Sequence, residues 1–290
     1  MNIIEVDNLK KYFGKTRAID GISLDIKEGE IFGFLGPNGA GKTTTIRCMM
    51  DFIRPTGRKI KIFGKDAQKD SVELKKKIGY LSDNVYLYNK WTGKTHIDFV
   101  KHLNGKKDIA DKLIKRLDFD PRPQVKKLSS GNRQKLGLIL ALMFEPELLI
   151  FNEPTASLDP LLQNTVYKLI KEATDRGTTV FMSSHNLAEV ERVCSRVGII
   201  KEGRMAAIEN IASLKEKRIY TVRVYFADKF KKEEFLDDNV EIRKEVPAGL
   251  ILGIKGDINK LIRKLSNYKL KDLAIEQASL EEIFLEFYKK

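Results

Sequence analysis

The 290-residue sequence is poor in cysteine, and its two thiols, Cys48 and Cys194, fall in separate predicted helices. No disulfide framework follows, and a reduced cytosolic setting is expected. No apolar run is long enough to cross a bilayer. The longest, Leu136 to Phe144, is closed by Lys135 and Glu145, whereas a spanning helix needs about 20 residues. The first residues lack a signal-peptide pattern. There is no internal repeat and no low-complexity tract. No aromatic-interleaved basic motif or recognition helix accompanies the positive charge, so nucleic acid is not expected as a partner.

What is present is a core-forming chain with a charged surface. Apolar residues make up 42% and charged residues 32%, with a net charge of +13. That charge fits either a lysine-rich solvated surface or attraction to an anionic membrane face. The length suits one large domain and one small one.

One stretch organises the rest: Gly36-Pro-Asn-Gly-Ala-Gly-Lys-Thr-Thr44. It fits G-x-x-x-x-G-K-[ST], with an apolar strand, Ile31–Leu35, before it and a predicted helix, Thr44 to Phe52, after it. Gly36, Gly39 and Gly41 permit backbone conformations closed to other residues. The amides of the loop, Asn38 and Ala40 included, can therefore curl around phosphate oxygens at a helix N-terminus. Lys42 reaches the β/γ-phosphates and the Thr43 hydroxyl is placed for Mg²⁺, with Thr44 beside it. Tyr12, shortly before the loop, offers a flat face for a nucleotide base, or else packs at a strand end.

Elsewhere the periodicity divides the chain. Residues Ile3 to Ile26 alternate as half-buried antiparallel strands do. Short strands are expected at Lys59–Phe63, Ile78–Leu81, Leu148–Phe151, Thr179–Met182, Val197–Ile200 and Met205–Ile208, the last two forming a hairpin across Glu202-Gly203. Helices are expected at Ser71–Lys77, Leu161–Arg176 and Leu187–Cys194. From about Val85 to Glu145 the pattern is helical throughout, with Thr92 capping one helix and Gly131 to Phe144 forming another. Beyond Lys215, strands at Ile219–Phe226, Val240–Arg243, Leu250–Ile254 and Leu270–Ile275 alternate with helices near Phe235 and at Ile258–Leu265. That β-α-β-β-α-β order resembles a split βαβ sandwich. A last helix opens at Ser279-Leu-Glu-Glu282 with a capping-box pattern.

Four stretches downstream of the phosphate loop carry a family resemblance. Leu128-Ser-Ser-Gly-Asn132 resembles the signature of ATP-binding cassette (ABC) ATPases, and Leu149-Ile-Phe-Asn-Glu-Pro154 resembles their Walker B strand with its catalytic glutamate. Ser157-Leu-Asp159 resembles the D-loop, and Ser183-Ser-His185 the switch histidine. In this order over residues 1 to about 210, they identify a relative of that family. The resemblance implies an α/β P-loop NTPase cassette with a mixed sheet, a parallel core and a helical insertion. The cassette spans 1–215 (helical subdomain about 85–145), and 216–290 forms a small α+β accessory domain. It also implies ATP and Mg²⁺ as ligands, and a homodimer in which Ser129, Ser130 and Gly131 of one copy close on the ATP of the other. Glu153 then acts as general base and His185 orients the attacking water, while Asp159 couples the two sites. Lys42, Glu153 and His185 form the catalytic set.

Two departures touch the metal. Asn152 replaces the Walker B aspartate, and Asp83 stands at the position resembling the Q-loop glutamine. Thr43, Asp83 and Asn152 thus form the expected metal set, with Asp83 restoring the charge that Asn152 lacks. The ending Ala278-Ser-Leu-Glu-Glu-Ile-Phe-Leu285 resembles the tails of exporter ATPases. The expectation is an ATPase subunit on the cytoplasmic face of the membrane, driving a separate integral-membrane permease, with export favoured. Two readings remain beside it: a soluble ABC-type ATPase and a slow-turnover ATP-dependent regulator.

Overall fold

Alternating apolar residues build the first layer. Strands β1 (Asn2–Phe13) and β2 (Thr16–Lys27) pair antiparallel. They bury Ile4, Val6, Leu9, Ile22, Leu24 and Ile26 on one face. The computed structural model describes residues 1–57, 59–105, 107–216, 219–237 and 239–277. These form two units, residues 1–209 and residues from 210 onward.

In the first unit, β3 (Ile31–Leu35) is buried at every position and leads through the glycine loop into helix α1 (Lys42–Met49). The helix starts two residues earlier than its apolar pattern predicts, because its first turn carries Lys42 and Thr43 for the site and not for the core. Strands β4 (Ile60–Ile62) and β5 (Lys65–Asp66) extend the antiparallel sheet in the order β2-β1-β4-β5. Helix α2 (Ser71–Lys75) then leads to β6 (Ile78–Leu81). The helical insertion follows as α3 (Gly93–Asn104), capped by the Thr92 hydroxyl on the amide of Thr95, α4 (Ala110–Arg116) and α5 (Ser130–Leu142).

The strand rhythm resumes with β7 (Leu148–Asn152), α6 (Pro160–Asp175), β8 (Thr179–Ser184) and α7 (Leu187–Val193). Strands β9 (Arg196–Lys201) and β10 (Arg204–Asn210) close it. Their two-residue turn, Glu202-Gly203, has positive φ at both residues, as a tight hairpin of this twist demands. The six strands run β10-β9-β3-β8-β7-β6, with β3 parallel to both β8 and β9. Helices cover a parallel sheet on both faces, so its strands read as unbroken apolar runs. The two sheets share one core around α1, which contributes Ile46, Cys48 and Met49.

Phe181 sits at the centre of that core, fully buried, its ring 5.4 Å from Phe34 and 6.1 Å from Phe32. Replacing it with alanine should cost about 3–5 kcal/mol, read as a lower urea midpoint for the transition of the first unit. A loss below about 1 kcal/mol would mean that the layers do not close on this ring.

The second unit contains α8 (Ile211–Glu216) and strands β11 (Ile219–Phe226), β12 (Val240–Val246) and β13 (Gly249–Lys255). Helix α9 (Asn259–Leu265) and strand β14 (Leu270–Gln277) complete it. Its sheet is antiparallel in the order β12-β13-β11-β14, the arrangement of a split βαβ sandwich. Val222, Val224 and Phe226 share the buried face with Leu250, Leu252 and Ile254. The helix expected near Phe235 is a single 3-10 turn, Lys232–Phe235. Phe235 is fully buried while Leu236 is 56% exposed, so one apolar anchor holds the segment and a longer helix has no second one. The capping-box helix at Ser279 lies outside the described residues.

Candidate nucleotide site

The loop between β3 and α1 is shaped by a glycine that no other residue replaces. Gly41 has φ +109°, and a Cβ there would lie 2.7 Å from the Ala18 carbonyl oxygen. This conformation turns the chain into α1 and leaves the first-turn amides pointing outward. Lys42 bends back across the loop, its Nζ donating to the carbonyls of Gly36 (2.6 Å) and Pro37 (3.2 Å). Burial lowers the Lys42 pKa, and the charge of Glu153 opposes that shift. An open pocket of about 310 Å³ lies against the loop. Asn38, Gly39, Gly41, Lys42, Thr43 and Thr44 line it together with Asp83, Glu153 and His185.

Glu153 joins the two ends of this pocket. Its Oε1 is 3.6 Å from Lys42 Nζ, and its Oε2 is 2.8 Å from His185 Nδ1. The residue adopts φ +53°, a conformation that costs a non-glycine residue roughly 1 kcal/mol or more and persists where surroundings impose it. Those surroundings are visible. The Gln134 amide donates to the carbonyls of both Glu153 (3.1 Å) and Pro154 (3.0 Å), and the Glu153 N–H bonds the Ser183 carbonyl.

Asn152 lies just behind the pocket and is fully buried. Its amide donates to the Thr43 hydroxyl at 3.0 Å, and its oxygen accepts from the Ser183 hydroxyl at 2.5 Å. Both partners are hydroxyls, so either face of the amide is satisfied. Asn152 therefore ties β7 to α1 and β8, whereas Asp83 lines the pocket itself. Among the described residues no cluster of three or more His, Cys, Asp and Glu side chains stands ready for a metal. Besides Glu153, which is engaged by Lys42 and His185, the oxygen donors in the lining include the Thr43 hydroxyl and the Asp83 carboxylate. That set fits a hard cation that keeps waters and phosphate oxygens among its ligands.

The remaining expected residues do not line this pocket. Ala40 faces inward, its carbonyl accepting the Gly203 amide. Tyr12 donates its hydroxyl to Asp20 at 2.6 Å, with the Arg17 guanidinium 5.7 Å from its ring. Ser129 caps α5 by accepting the Asn132 amide, and Ser130 and Gly131 form the first turn. A Cβ on Gly131 would approach the Ser157 carbonyl to 2.8 Å, so this glycine lets α5 seat against the loop after Glu153. Asp159 caps α6, accepting from the amides of Leu161 and Leu162.

Three contributors had no sequence signal of their own: Gln134, Ser183 as the partner of Asn152, and Glu189. Glu189 is 4% exposed and accepts the hydroxyls of Thr155 and Ser184, each at 2.6 Å. Burial raises its pKa, and the two hydroxyls oppose the rise. Both cysteines are free and buried, and burial pushes the Cys48 thiol up to about 11. They are inert packing residues.

The glycine loop at a helix N-terminus, the lysine folded over it and the carboxylate facing it define a P-loop nucleotide-binding ATPase. The comparisons with known proteins then fix the family. Residues 19–156 match the ABC transporter family model. A bacitracin transport ATP-binding protein of Bacillus licheniformis is 34% identical over 98% of this chain and 96% of its own length. A daunorubicin/doxorubicin resistance ATP-binding protein of Streptomyces peucetius is 28% identical over 97% and 91%. In fold, an ATP-binding subunit of an ABC transporter superposes with TM-score 0.68 at 24% identity, covering 74% of this chain and 92% of that one. A dimeric cassette in a post-hydrolysis state bound to ADP and Pi does so with TM-score 0.66 at 22% identity, covering 72% and 98%. The chain belongs to the ATP-binding proteins of ABC transporters. It is an ATPase subunit whose turnover powers transport.

Proposed function

We propose that the chain is the ATPase subunit of an exporter. It would act as a homodimer that closes on Mg²⁺-ATP and drives a permease carried on other chains. The observation that carries this reading is the position of Glu153, in contact with Lys42 on one side and His185 on the other, at the pocket of the phosphate loop. Lys42 and the loop residues Asn38 to Thr44 hold the phosphates, Tyr12 stacks on the base, and Glu153 polarises the attacking water that His185 orients. Ser129, Ser130 and Gly131, at the open start of α5, close on the partner copy's ATP, and Asp159 beside them links the two sites. Thr43, Asp83 and Asn152 would hold the metal, Asn152 from behind the pocket through its bond to the Thr43 hydroxyl, and Mg²⁺ there would supply positive charge against the phosphates.

Residues 1–215 would be the cassette and 216–290 an accessory domain. Among the described residues no helix is long and apolar enough to cross a membrane; as the ATPase of a permease on other chains, the protein would sit peripherally on the cytoplasmic face. An open groove of about 620 Å³ lined by Phe52, Tyr80, Asp83, Tyr86 and Leu140 borders the helical insertion. It suits the permease. Export is supported by the relatives named for bacitracin transport and for daunorubicin/doxorubicin resistance. The replacement of an acidic residue by Asn152 favours one other reading, a slow-turnover regulator.

Purification from detergent-solubilised membranes of the source cell, with a steady-state ATPase assay across Mg²⁺ concentrations, tests both. Co-purification with an integral membrane protein and turnover of order 1 s⁻¹ or more are expected. Co-sedimentation with ribosomes instead, or turnover indistinguishable from buffer, would overturn the proposal.

A further inference from the structure

We infer that Glu189 is a positioning residue for hydrolysis, a buried carboxylate that locks the segment bearing Glu153 to the segment bearing His185. This rests on the reading of Glu153 and His185 as the hydrolytic pair. Thr155 stands two residues after Glu153, and Ser184 immediately precedes His185. The two Glu189 oxygens accept one hydroxyl from each, at 2.6 Å, while the pair itself meets at 2.8 Å. One side chain therefore sets the spacing of two segments that come from different strands.

Glu189 is not needed as a helix cap. In a capping box a glutamate in the first turn reaches back to the amide of the capping residue. Here the Asn186 amide is taken by the Ser184 hydroxyl at 2.9 Å, and the Asn186 side chain caps α7 on the Ala188 amide. Nor is the position cheap to maintain. An ionisable group 4% exposed is disfavoured by burial unless its hydrogen bonds are met, and a leucine of similar volume would pack there without that penalty. Both oxygens are spent on the two segments that present the hydrolytic pair. Gln134 grips the same loop from the other side through the Glu153 and Pro154 carbonyls, so the left-handed turn at Glu153 is held at both ends.

The acceptor geometry, more than the charge, does the positioning, and glutamine can reproduce it. Its oxygen accepts from Thr155. Its NH₂ donates to the Ser184 oxygen, whose own proton then turns to the Asn186 carbonyl, already 3.2 Å away.

The test measures kcat and the ATP dissociation constant of the full-length chain for four variants. Glu189→Leu should lower kcat roughly 10- to 100-fold, the scale of an ångström-level misplacement, with ATP affinity within about 2-fold of wild type. Glu189→Gln should recover kcat to within about 3-fold. Thr155→Val, which removes one donor without opening a cavity, should lower kcat about 5-fold at unchanged affinity, and it carries the test if Glu189→Leu does not fold. Glu153→Gln run alongside separates the two failures. If it turns over like wild type, the reading of the hydrolytic pair falls and this inference with it. If it is inactive while Glu189→Leu and Thr155→Val keep wild-type kcat, only the locking role is wrong. Glu189→Gln as slow as Glu189→Leu, or affinity falling in step with kcat, would also overturn it.

Discussion

Glu153→Gln should leave ATP binding intact and cut steady-state hydrolysis by about 10²–10³-fold, the usual contribution of a positioned general base. The amide keeps the size and one acceptor oxygen but cannot take a proton from water. It also removes the charge that faces Lys42 at 3.6 Å and His185 at 2.8 Å. Losing a negative charge beside the phosphate-binding lysine does not weaken attraction for an anion, so binding persists while chemistry stops. In the homodimer reading the unhydrolysed nucleotide then keeps two copies closed. Size exclusion with ATP and Mg²⁺ should show a dimer for Glu153→Gln under conditions where wild type elutes mostly as monomer. Retention of more than about a fifth of wild-type turnover would remove Glu153 from the role of base.

The second large effect concerns the metal. Two unit charges 4 Å apart interact by about 4 kcal/mol at an effective dielectric near 20, and solvent reduces this for a partly exposed group. Asp83 is half-buried at the pocket rim. Asp83→Asn should therefore raise the Mg²⁺ concentration for half-maximal ATPase activity by about 10-fold. Asn152→Asp, which returns a carboxylate beside the Thr43 hydroxyl, should offset most of that loss in the double variant. If Asp83→Asn leaves the Mg²⁺ titration curve where it was, the carboxylate exchange between these two positions is wrong.

Different parts of the molecule were legible to different degrees. The strands of the first unit were readable because parallel strands buried on both faces are continuous apolar runs, as in Leu148–Phe151 and Thr179–Met182. The second unit's sheet was readable from alternation at Val222, Val224 and Phe226. Element ends were less so. Helix α1 begins at Lys42 since its first turn serves the pocket, and the Lys232–Phe235 segment stays a 3-10 turn for want of a second apolar anchor. In the site, Asn38 to Thr44 stood out by the spacing of the glycine loop, and Glu153 and His185 by the family resemblance of the stretches that hold them. Gln134, Ser183 and Glu189 did not, because each acts through a contact 19 to 34 residues away: Gln134 with the Glu153 carbonyl, Ser183 with the Asn152 amide oxygen and Glu189 with the Thr155 hydroxyl.

By itself, the order of residues determined that a glycine-freed loop would follow a buried strand and open a helix, and that a carboxylate and a histidine would each end a later strand. Those facts are local, since φ freedom, apolar periodicity and capping act within a few residues. Only the tertiary structure decided that Glu153 faces Lys42 and His185 at once, that Asn152 is occupied by Thr43 and Ser183, and that Glu189 binds the two strand ends together. Such distances depend on the register of β7 against β8 and on how α5 and α7 seat against them. Register is settled by the whole core and not by any one segment.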